Sequence, residues 1–233
     1  MEDLSCEWGL QGLLALAPGS DAIVLVDVIS FSTAVDVAVS RGASVLPYRW
    51  RDASAEAFAA SKGAILASSR SAQGKYSLSP ASLESISQQT TLVLSSPNGS
   101  ALSLRAGKAP TFTACLRNCA AVAARVERYG SRIAVIPAGE QWNDGSLRPA
   151  LEDLIGAGAL LARLPGSLSP EAELAVAAFE RFRFDLHDAL ARSISGRELL
   201  ERGYTRDIEL AAAYGASSAV PLLRDDRFVD DKV

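Results

Sequence analysis

Histidine and cysteine, two residue types common in catalytic and metal sites, are scarce in this sequence. The 233 residues include one histidine, His187, and three cysteines, Cys6, Cys115 and Cys119. A Ser-His-Asp triad would have only one base to use, and a lone histidine in a helix is more often a surface or packing residue. Three cysteines do not make a disulfide framework, so we expect small packing residues in a reducing cytoplasm.

Basic excess, long apolar runs and nucleotide-binding motifs are also missing. The net charge is −4, which argues against a nucleic-acid partner because phosphate neutralisation needs a basic face. The apolar piece from Gly9 to Ala17 is too short to span a membrane, and the start lacks the basic residues of a signal peptide. No G-x-S-x-G, Walker or G-x-G-x-x-G motif occurs. We therefore expect a soluble, cytoplasmic protein without nucleic-acid or membrane partners.

Apolar residues make up 48% of the sequence, enough for a sizeable core. Apolar runs rich in β-formers alternate with Ala-rich segments of helical character, and the run Asp21 to Ser30 is apolar enough for a strand buried on both faces. The predicted strands are Asp21–Ser30, Ser44–Trp50, Ala64–Arg70, Thr90–Ser96, Thr111–Cys115 and Ser131–Gly139. The predicted helices are Phe31–Ala43, Asp52–Ala64, Ser100–Gly107, Arg117–Gly130 and Ala150–Leu164.

The last third differs, since it is nearly all helical, with a break expected near Ser195-Gly196 and a short helix and edge strands at the end. The pattern predicts a three-layer α/β/α sandwich around a largely parallel or mixed sheet, with a helical C-terminal third. We expect a single domain over residues 1–233, with Leu164 to Pro170 as the best candidate for an internal boundary.

Polar residues follow nearly every predicted strand, and in open parallel sheets ligands bind beyond the carboxyl ends of strands. The groups at these ends are carboxylates, hydroxyls, amides and arginines; they include Asp27, Ser32, Thr33, Arg70, Arg117, Asn118, Glu140, Glu152 and Asp153. Hard oxygen ligands of this kind suit Mg²⁺, which pairs one or two carboxylates with waters and substrate phosphate oxygens. Arg70 or Arg117 could bind a phosphate or carboxylate through two hydrogen bonds.

The loop "SSPNGS" after the strand Thr90 to Ser96 is unusually rich in small hydrogen-bonding groups. A plain turn needs only Asn98-Gly99, whereas this loop also offers Ser95, Ser96 and Ser100. Such a loop suits an anion or a metal-bound phosphate.

Each of these features also has a purely structural interpretation. Asp27 could cap a helix, Asn98-Gly99 could be a simple turn, and Glu152-Asp153 could be ordinary acids in the first turn of a helix.

The order of motifs resembles the 2-phosphosulfolactate phosphatase family, over about Asp21 to Val229. Five stretches carry the resemblance: "IVLVDVISFSTAVDVAVSRGA", "SPNGSA", "RNCAAVA", "AGEQWNDGSLRPALEDLIGAGA" and "RDIELAAAYGASSAVPLL". Two positions depart from the family pattern, with Ser30 in place of an arginine and Ser69 in place of a glutamate. One cation and one carboxylate are lost together, which indicates a lost ion pair or an altered substrate.

The resemblance implies a Mg²⁺-dependent phosphoric monoester hydrolase, of a family named for a step of coenzyme M biosynthesis. Its substrate would be a small phosphorylated sulfo- or carboxy-hydroxy acid. The catalytic residues would be Asp27, Glu152 and Asp153, with Asp27 and Asp153 as metal ligands. The substrate-binding residues would be Ser32, Thr33, Arg70, Ser96, Asn98, Gly99, Ser100 and Asn118.

Other functions stay open at this point. The departures at Ser30 and Ser69 would fit a non-catalytic relative that binds a phosphorylated or sulfonated metabolite, or a phosphatase for another small phosphorylated acid. An interaction protein that keeps only the scaffold is a further alternative. Leu13, Leu14 and Leu16 could pack against a second copy, so a homodimer is also open.

Overall fold

Helices pack on both faces of one mixed sheet, and the computed structural model describes this arrangement for residues 3–49, 52–70 and 74–232. The strands of the described residues are β1 (Leu4–Cys6), β2 (Ala22–Val26), β3 (Ser44–Tyr48), β4 (Ile65–Leu66), β5 (Thr91–Ser95), β6 (Thr111–Ala114), β7 (Ile133–Pro137), β8 (Glu140–Gln141), β9 (Leu147–Arg148), β10 (Pro221–Arg224) and β11 (Arg227–Asp230). The helices are α1 (Gly9–Leu16), α2 (Phe31–Ser40), α3 (Ala53–Ser61), α4 (Gly99–Ser103), α5 (Cys119–Val126), α6 (Leu151–Leu161), α7 (Pro170–Phe182), α8 (Leu186–Arg192), α9 (Ile194–Glu201) and α10 (Thr205–Ala212).

Nine of the described strands form the main sheet, in the order β1-β7-β2-β6-β10-β11-β3-β5-β4. The strands β1, β7, β2 and β6 are parallel to one another, as are β3, β5 and β4. The antiparallel hairpin β10–β11 lies between these two parallel blocks, with Leu222 opposite Phe112 and Phe228 opposite Val45. In the sheet, this hairpin joins the two blocks.

The alternation of side chains along β2 shows why both faces are covered. Val24 and Val26 belong to a core cluster shared with α5, α6, α7 and α8, whereas Ile23 and Leu25 belong to a second cluster shared with α1 and α4. A strand buried on both faces needs the continuous apolar run that β2 has. The predicted three-layer α/β/α sandwich with a mixed sheet is thus confirmed.

The helical break expected near Ser195-Gly196 is present and lies slightly earlier, at Ser193. Ser195 and Gly196 belong to the first turn of α9, where the Gly196 N–H donates to the Ser193 hydroxyl at 3.0 Å. The prediction of edge strands at the end of the chain is wrong. The terminal strands lie in the middle of the sheet rather than at its edge. The three-residue strand β1 was not predicted at all.

The structure describes most, but not all, of the individual residues for which the sequence allows an expectation. Trp50, at the end of the predicted strand Ser44 to Trp50, lies outside the described residues. His187 is exposed on α8, and Cys6, Cys115 and Cys119 are buried without a disulfide, as expected of packing residues. Burial raises the pKa of the Cys6 thiol to about 12, so the thiol form prevails there.

The structure also bears on contacts with a membrane and with a second copy of the chain. Among the described residues, none of the helices has the length and apolar character needed to cross a membrane. Leu13 is fully buried against the sheet, so it is not available to a second copy, whereas 51% of Leu14 is exposed.

Candidate active site

The polar residues after β2, β5 and β7 meet around a cavity of about 180 Å³. The parallel neighbours β2 and β7 direct their carboxyl ends to the same edge of the sheet, which brings Asp27 and Glu140 together. The loop after β5 comes from the other block, whose strands run opposite to β2 and β7, and the N–H of its Gly99 reaches Asp27. The charged and polar residues that line this cavity from the sheet side are Asp27, Ser30, Arg70, Ser96, Asn98 and Glu140. Ser195, Glu198 and Arg202 of the helical last third close the opposite side.

Asp27, the first residue after β2, is the buried carboxylate of this cavity. One of its oxygens accepts the N–H of Phe31 at 3.1 Å, and the other accepts the N–H of Gly99 at 2.9 Å. Burial is the main cause that raises the pKa of Asp27 to about 6; the charge of Glu152 adds to this and the two amides oppose it. Asp27 therefore both caps α2, as the structural interpretation held, and faces the cavity.

Gly99 is required where the loop meets Asp27. A Cβ at this position would lie 2.2 Å from Cδ1 of Phe31, so a side chain cannot be accommodated without moving the Phe31 ring. The close approach lets the Gly99 N–H reach Asp27 across from the other parallel block. Gly99 thereby couples the two blocks at the site, and its N–H is directed at a carboxylate rather than at the cavity.

The hydroxyl groups of the loop stabilise the loop itself. The Ser96 hydroxyl accepts the N–H of Gly99 at 3.2 Å, and the Ser100 hydroxyl donates to the Leu94 carbonyl at 2.8 Å while accepting the Ser96 N–H. Ser96 lines the cavity, whereas Ser100 is fully buried. Part of the hydroxyl content of this loop is thus explained by its own backbone.

Asn98 and Glu140 form a polar bridge over the cavity. The Asn98 side-chain amide donates to one carboxylate oxygen of Glu140 at 2.8 Å. Burial, and then the negative charge of Asp27, raises the pKa of Glu140 to about 7. Glu140 is not among the site residues that the resemblance implies; its place in the turn after the buried strand β7 is the sequence signal that points to it.

Asp153 ties together two turns at the edge of the sheet. Its oxygens accept the Val28 N–H at 2.7 Å and the Gly139 N–H at 2.9 Å, which fixes the chain after β2 and after β7. Burial raises the pKa of Asp153 well above its ordinary value, and the charges of Asp27 and Glu152 add to this. Both oxygens already accept a hydrogen bond, so Asp153 has a clear positioning role.

Glu152 is also buried, with 1% of its surface exposed. In the described part of the chain, no hydrogen-bond donor reaches its Oε1 atom. A buried carboxylate oxygen without a partner is costly, which makes this atom the most conspicuous unsatisfied acceptor near the site.

Arg70 brings positive charge to the cavity. Its guanidinium donates to the Ser30 hydroxyl at 2.5 Å and pairs with Asp207 of α10 at 3.3 Å. The two departures from the family pattern thus lie at this arginine, since Ser30 contacts it and Ser69 precedes it. Arg117, the other arginine considered for anion binding, instead pairs with the buried Asp36 at 2.7 Å.

Three further residues predicted to bind substrate make hydrogen bonds inside the fold. The Ser32 hydroxyl lies 2.6 Å from that of Thr113, and the Thr33 hydroxyl donates to the Val28 carbonyl. The Asn118 oxygen accepts the Cys115 N–H at 2.8 Å, while its amide nitrogen is buried without a partner among the described residues. The structure thus brings Asp27, Arg70, Ser96 and Asn98 to the cavity, whereas Ser32, Thr33, Ser100 and Asn118 are buried and do not line it.

The carboxylates at the site fit Mg²⁺ only if water and substrate oxygens complete its shell. Among residues 3–49, 52–70 and 74–232, no three His, Cys, Asp or Glu side chains are arranged to hold a metal ion by themselves. Mg²⁺ needs only one or two carboxylates when waters and substrate phosphate oxygens complete its shell. Oε1 of Glu152 has no partner, and the charges of Asp27, Glu152 and Asp153 repel one another. Both features fit a cation that is held partly by these carboxylates and partly by oxygens of the substrate.

We expect the partly buried carboxyl of Glu140 to make the stability of the fold depend on pH. A carboxyl whose pKa is higher in the folded state than in the unfolded state keeps its proton to a higher pH when the protein is folded. The free energy of unfolding therefore falls as the pH rises between the two pKa values. For Glu140 this window runs from its ordinary 4.5 to about 7. The free energy of unfolding of Glu140→Gln, relative to that of the wild type, should therefore rise by about 3 kcal/mol from pH 4 to pH 8, as measured by urea unfolding.

Glu173→Gln replaces an exposed glutamate on α7 and is the matched control, whose stability should follow the wild type throughout. A stability difference between Glu140→Gln and the wild type that is the same at pH 4 and at pH 8 would contradict this account.

Comparison with known proteins gives consistent matches. The family model described as 2-phosphosulpholactate phosphatase matches residues 15–226. The 2-phosphosulfolactate phosphatase of Methanothermobacter thermautotrophicus is 28% identical over 212 residues, which cover 90% of this chain and 89% of the relative. A probable 2-phosphosulfolactate phosphatase of Gloeobacter violaceus is 34% identical over 132 residues, which cover 56% of this chain and 54% of the relative.

Proposed function

The chain belongs to the 2-phosphosulpholactate phosphatase family, whose named members are phosphoric monoester hydrolases, and from that premise we propose a specific reaction. The protein hydrolyses the phosphomonoester of a small hydroxy acid that carries a carboxylate or sulfonate, with Mg²⁺ as cofactor. One observation carries the proposal: the buried Asp27 lies in the same cavity as Arg70, Ser96, Asn98 and Glu140.

Asp27 is the proposed ligand of Mg²⁺ on the cavity side, and the unpartnered oxygen of Glu152 is the best second ligand. Asp153 can keep its predicted ligand role only through the second lone pair of each oxygen, since both oxygens already accept an amide N–H. Mg²⁺, when bound, would neutralise negative charge on the phosphoryl group that is transferred.

Arg70 and Asn98 are the proposed anion ligands, because both carry N–H donors and both line the cavity. Hydrolysis adds a water oxygen to phosphorus and breaks the ester P–O bond, so the departing alkoxide must gain a proton. Glu140 lines the cavity, and its pKa of about 7 makes it the proposed donor of that proton.

The reaction is tested by phosphate release from a panel of phosphorylated hydroxy acids, 2-phosphosulfolactate included. With Mg²⁺ we expect turnover of at least one member, and with a chelator in excess we expect the rate to fall by at least about a hundredfold. Turnover that persists at the full rate in chelator would contradict the Mg²⁺ proposal and leave the phosphatase assignment in place.

The second candidate is a non-catalytic relative that binds a phosphorylated or sulfonated metabolite. Ser30 favours it, because a hydroxyl occupies the position of a family cation and Arg70 is held by Asp207. This candidate predicts that a phosphorylated hydroxy acid raises the melting temperature without any release of phosphate. Turnover of any member of the panel would exclude it.

A further inference from the structure

A second and larger cavity adjoins the proposed catalytic cavity. Its volume is about 520 Å³, and it shares Pro97, Asn98 and Glu140 with the smaller one of about 180 Å³. The hydrogen bond between Asn98 and Glu140 therefore lies where the two cavities meet. A molecule whose phosphate lies near Asp27 could extend past this bond into the larger space.

The sizes of the two cavities indicate different occupants. Binding pockets for sizeable organic ligands typically measure about 300–1,000 Å³, so the smaller cavity falls below this range and the larger one within it. A three-carbon phosphorylated acid needs only the smaller cavity. The larger cavity would then stay unused by the substrates for which the family is named.

The walls of the larger cavity are mostly apolar. Trp8, Leu10, Leu102, Leu104 and Leu147 line it, from the α1 region, from α4 and the residue after it, and from β9. Leu104 is 49% exposed and Leu147 is 42% exposed, so apolar surface is left facing water. Covering such surface with an apolar group is favourable by about 25 cal/mol per Å².

Two arginines, Arg49 and Arg105, also line the larger cavity. A guanidinium plane packs well against an aromatic face, where a simple alkyl chain gains less. Apolar walls together with guanidinium groups thus favour an aromatic ring over an alkyl chain as the occupant.

We propose that the larger cavity is a substrate subsite that binds an aromatic group attached to the phosphorylated hydroxy acid. The proposal rests on the proposed phosphatase function and makes its substrate class narrower. It identifies α1, α4 and β9 as the elements that determine specificity, while the charged cavity beside them binds the phosphate.

The test compares two esters that differ only by a phenyl ring, the phosphomonoesters of lactate and of 3-phenyllactate, with Mg²⁺ present. For the wild type we expect kcat/KM to be at least about tenfold higher for the phenyl ester, because burial of the ring adds binding energy. Gln11→Trp places a large ring in the larger cavity from the exposed side of α1. It should lower the ratio of the two kcat/KM values by about tenfold.

Leu14→Trp is the matched control, since Leu14 is exposed on the same helix and does not line the cavity. Its ratio should equal that of the wild type, and the melting temperatures of both variants would report on folding. A wild-type ratio of one or less, or a ratio that Gln11→Trp leaves unchanged, would overturn the subsite and leave the phosphatase in place. If Gln11→Trp leaves the ratio unchanged but alters the sedimentation coefficient of the protein, the apolar walls of the larger cavity would instead be assigned to contact with a second copy of the chain.

Failure of the underlying function gives a different result. If neither ester, nor any other member of the phosphate-release panel, is hydrolysed by the folded wild type, both the proposed function and the subsite are overturned.

Discussion

Asp27→Asn is expected to reduce kcat for phosphate release by about a thousandfold. The substitution keeps the shape of the side chain but removes the negative charge that faces the cavity. Loss of a group that holds a cation or stabilises the transition state typically costs two to four orders of magnitude in rate, about 10²–10⁴. Steady-state phosphate release at pH 7.5 with saturating Mg²⁺ measures the effect.

Asp36→Asn is the matched control for this variant. Asp36 is as buried as Asp27 but pairs with Arg117 and accepts a hydrogen bond from Ser217, away from the cavity. Its replacement should lower the melting temperature while the folded fraction keeps its kcat. A kcat of Asp27→Asn within about tenfold of the wild type would contradict the role given to Asp27.

Gly158→Ala is expected to lower the free energy of unfolding by about 3 kcal/mol, which corresponds to a melting temperature about 6–12 °C lower in a chain of this size. The new Cβ would lie 1.9 Å from the carbonyl oxygen of Ala175, in the backbone of the neighbouring helix α7. Backbone atoms cannot turn aside as a side chain can, so α6 and α7 must separate. Differential scanning calorimetry measures the change.

Gly19→Ala is the control for this second variant, because a Cβ at Gly19 would meet no atom within 4 Å. Its melting temperature should stay close to that of the wild type. Since α6 also carries Glu152 and Asp153, the shift of α6 in Gly158→Ala should lower phosphate release as well. A melting temperature of Gly158→Ala within about 1 °C of the wild type would show that the two helices are not closely packed at this position.

Local patterns in the sequence predicted most of the fold. The run from Asp21 to Ser30 is long and continuously apolar, and it contains β2. The helix predicted over Asp52–Ala64 is α3, and Asp52 caps it by accepting the N–H of Ser54 at 2.9 Å. These features depend on residues a few positions apart, which is why the sequence reveals them. The strand β1 has only three residues, too few for a period of two to show.

Contacts between distant residues account for what the sequence could not predict. The position of β10–β11 in the sheet depends on Leu222 meeting Phe112 and Phe228 meeting Val45, and no local pattern reports these pairs. Gly196 looked like a helix break because glycine is a poor helix former, yet in the structure the Ser193 hydroxyl stabilises the turn that contains it.

The site shows the same division between local and distant signals. Asp27 and Ser96 follow strands directly, and Asn98 lies in the polar loop after β5, so local sequence signals point to all three. The engagement of Arg117 with Asp36 could not be read from the sequence, because it depends on how α2 packs against the loop after β6. Ser32 and Ser100 have the residue type of an anion ligand, but backbone geometry turns their hydroxyls inward.

The central position of β10–β11 has a consequence for the order of events during folding. Asp27 belongs to one parallel block and Asn98 to the other, and among the strands that the structure describes the blocks are joined through the hairpin, with β10 paired to β6 and β11 paired to β3. Contacts across such long sequence separations form late, because much chain entropy must be lost first. A refolding chain would therefore complete much of its secondary structure before it gains a catalytic cavity, and recovered activity would follow the protection of the amides of β10 and β11.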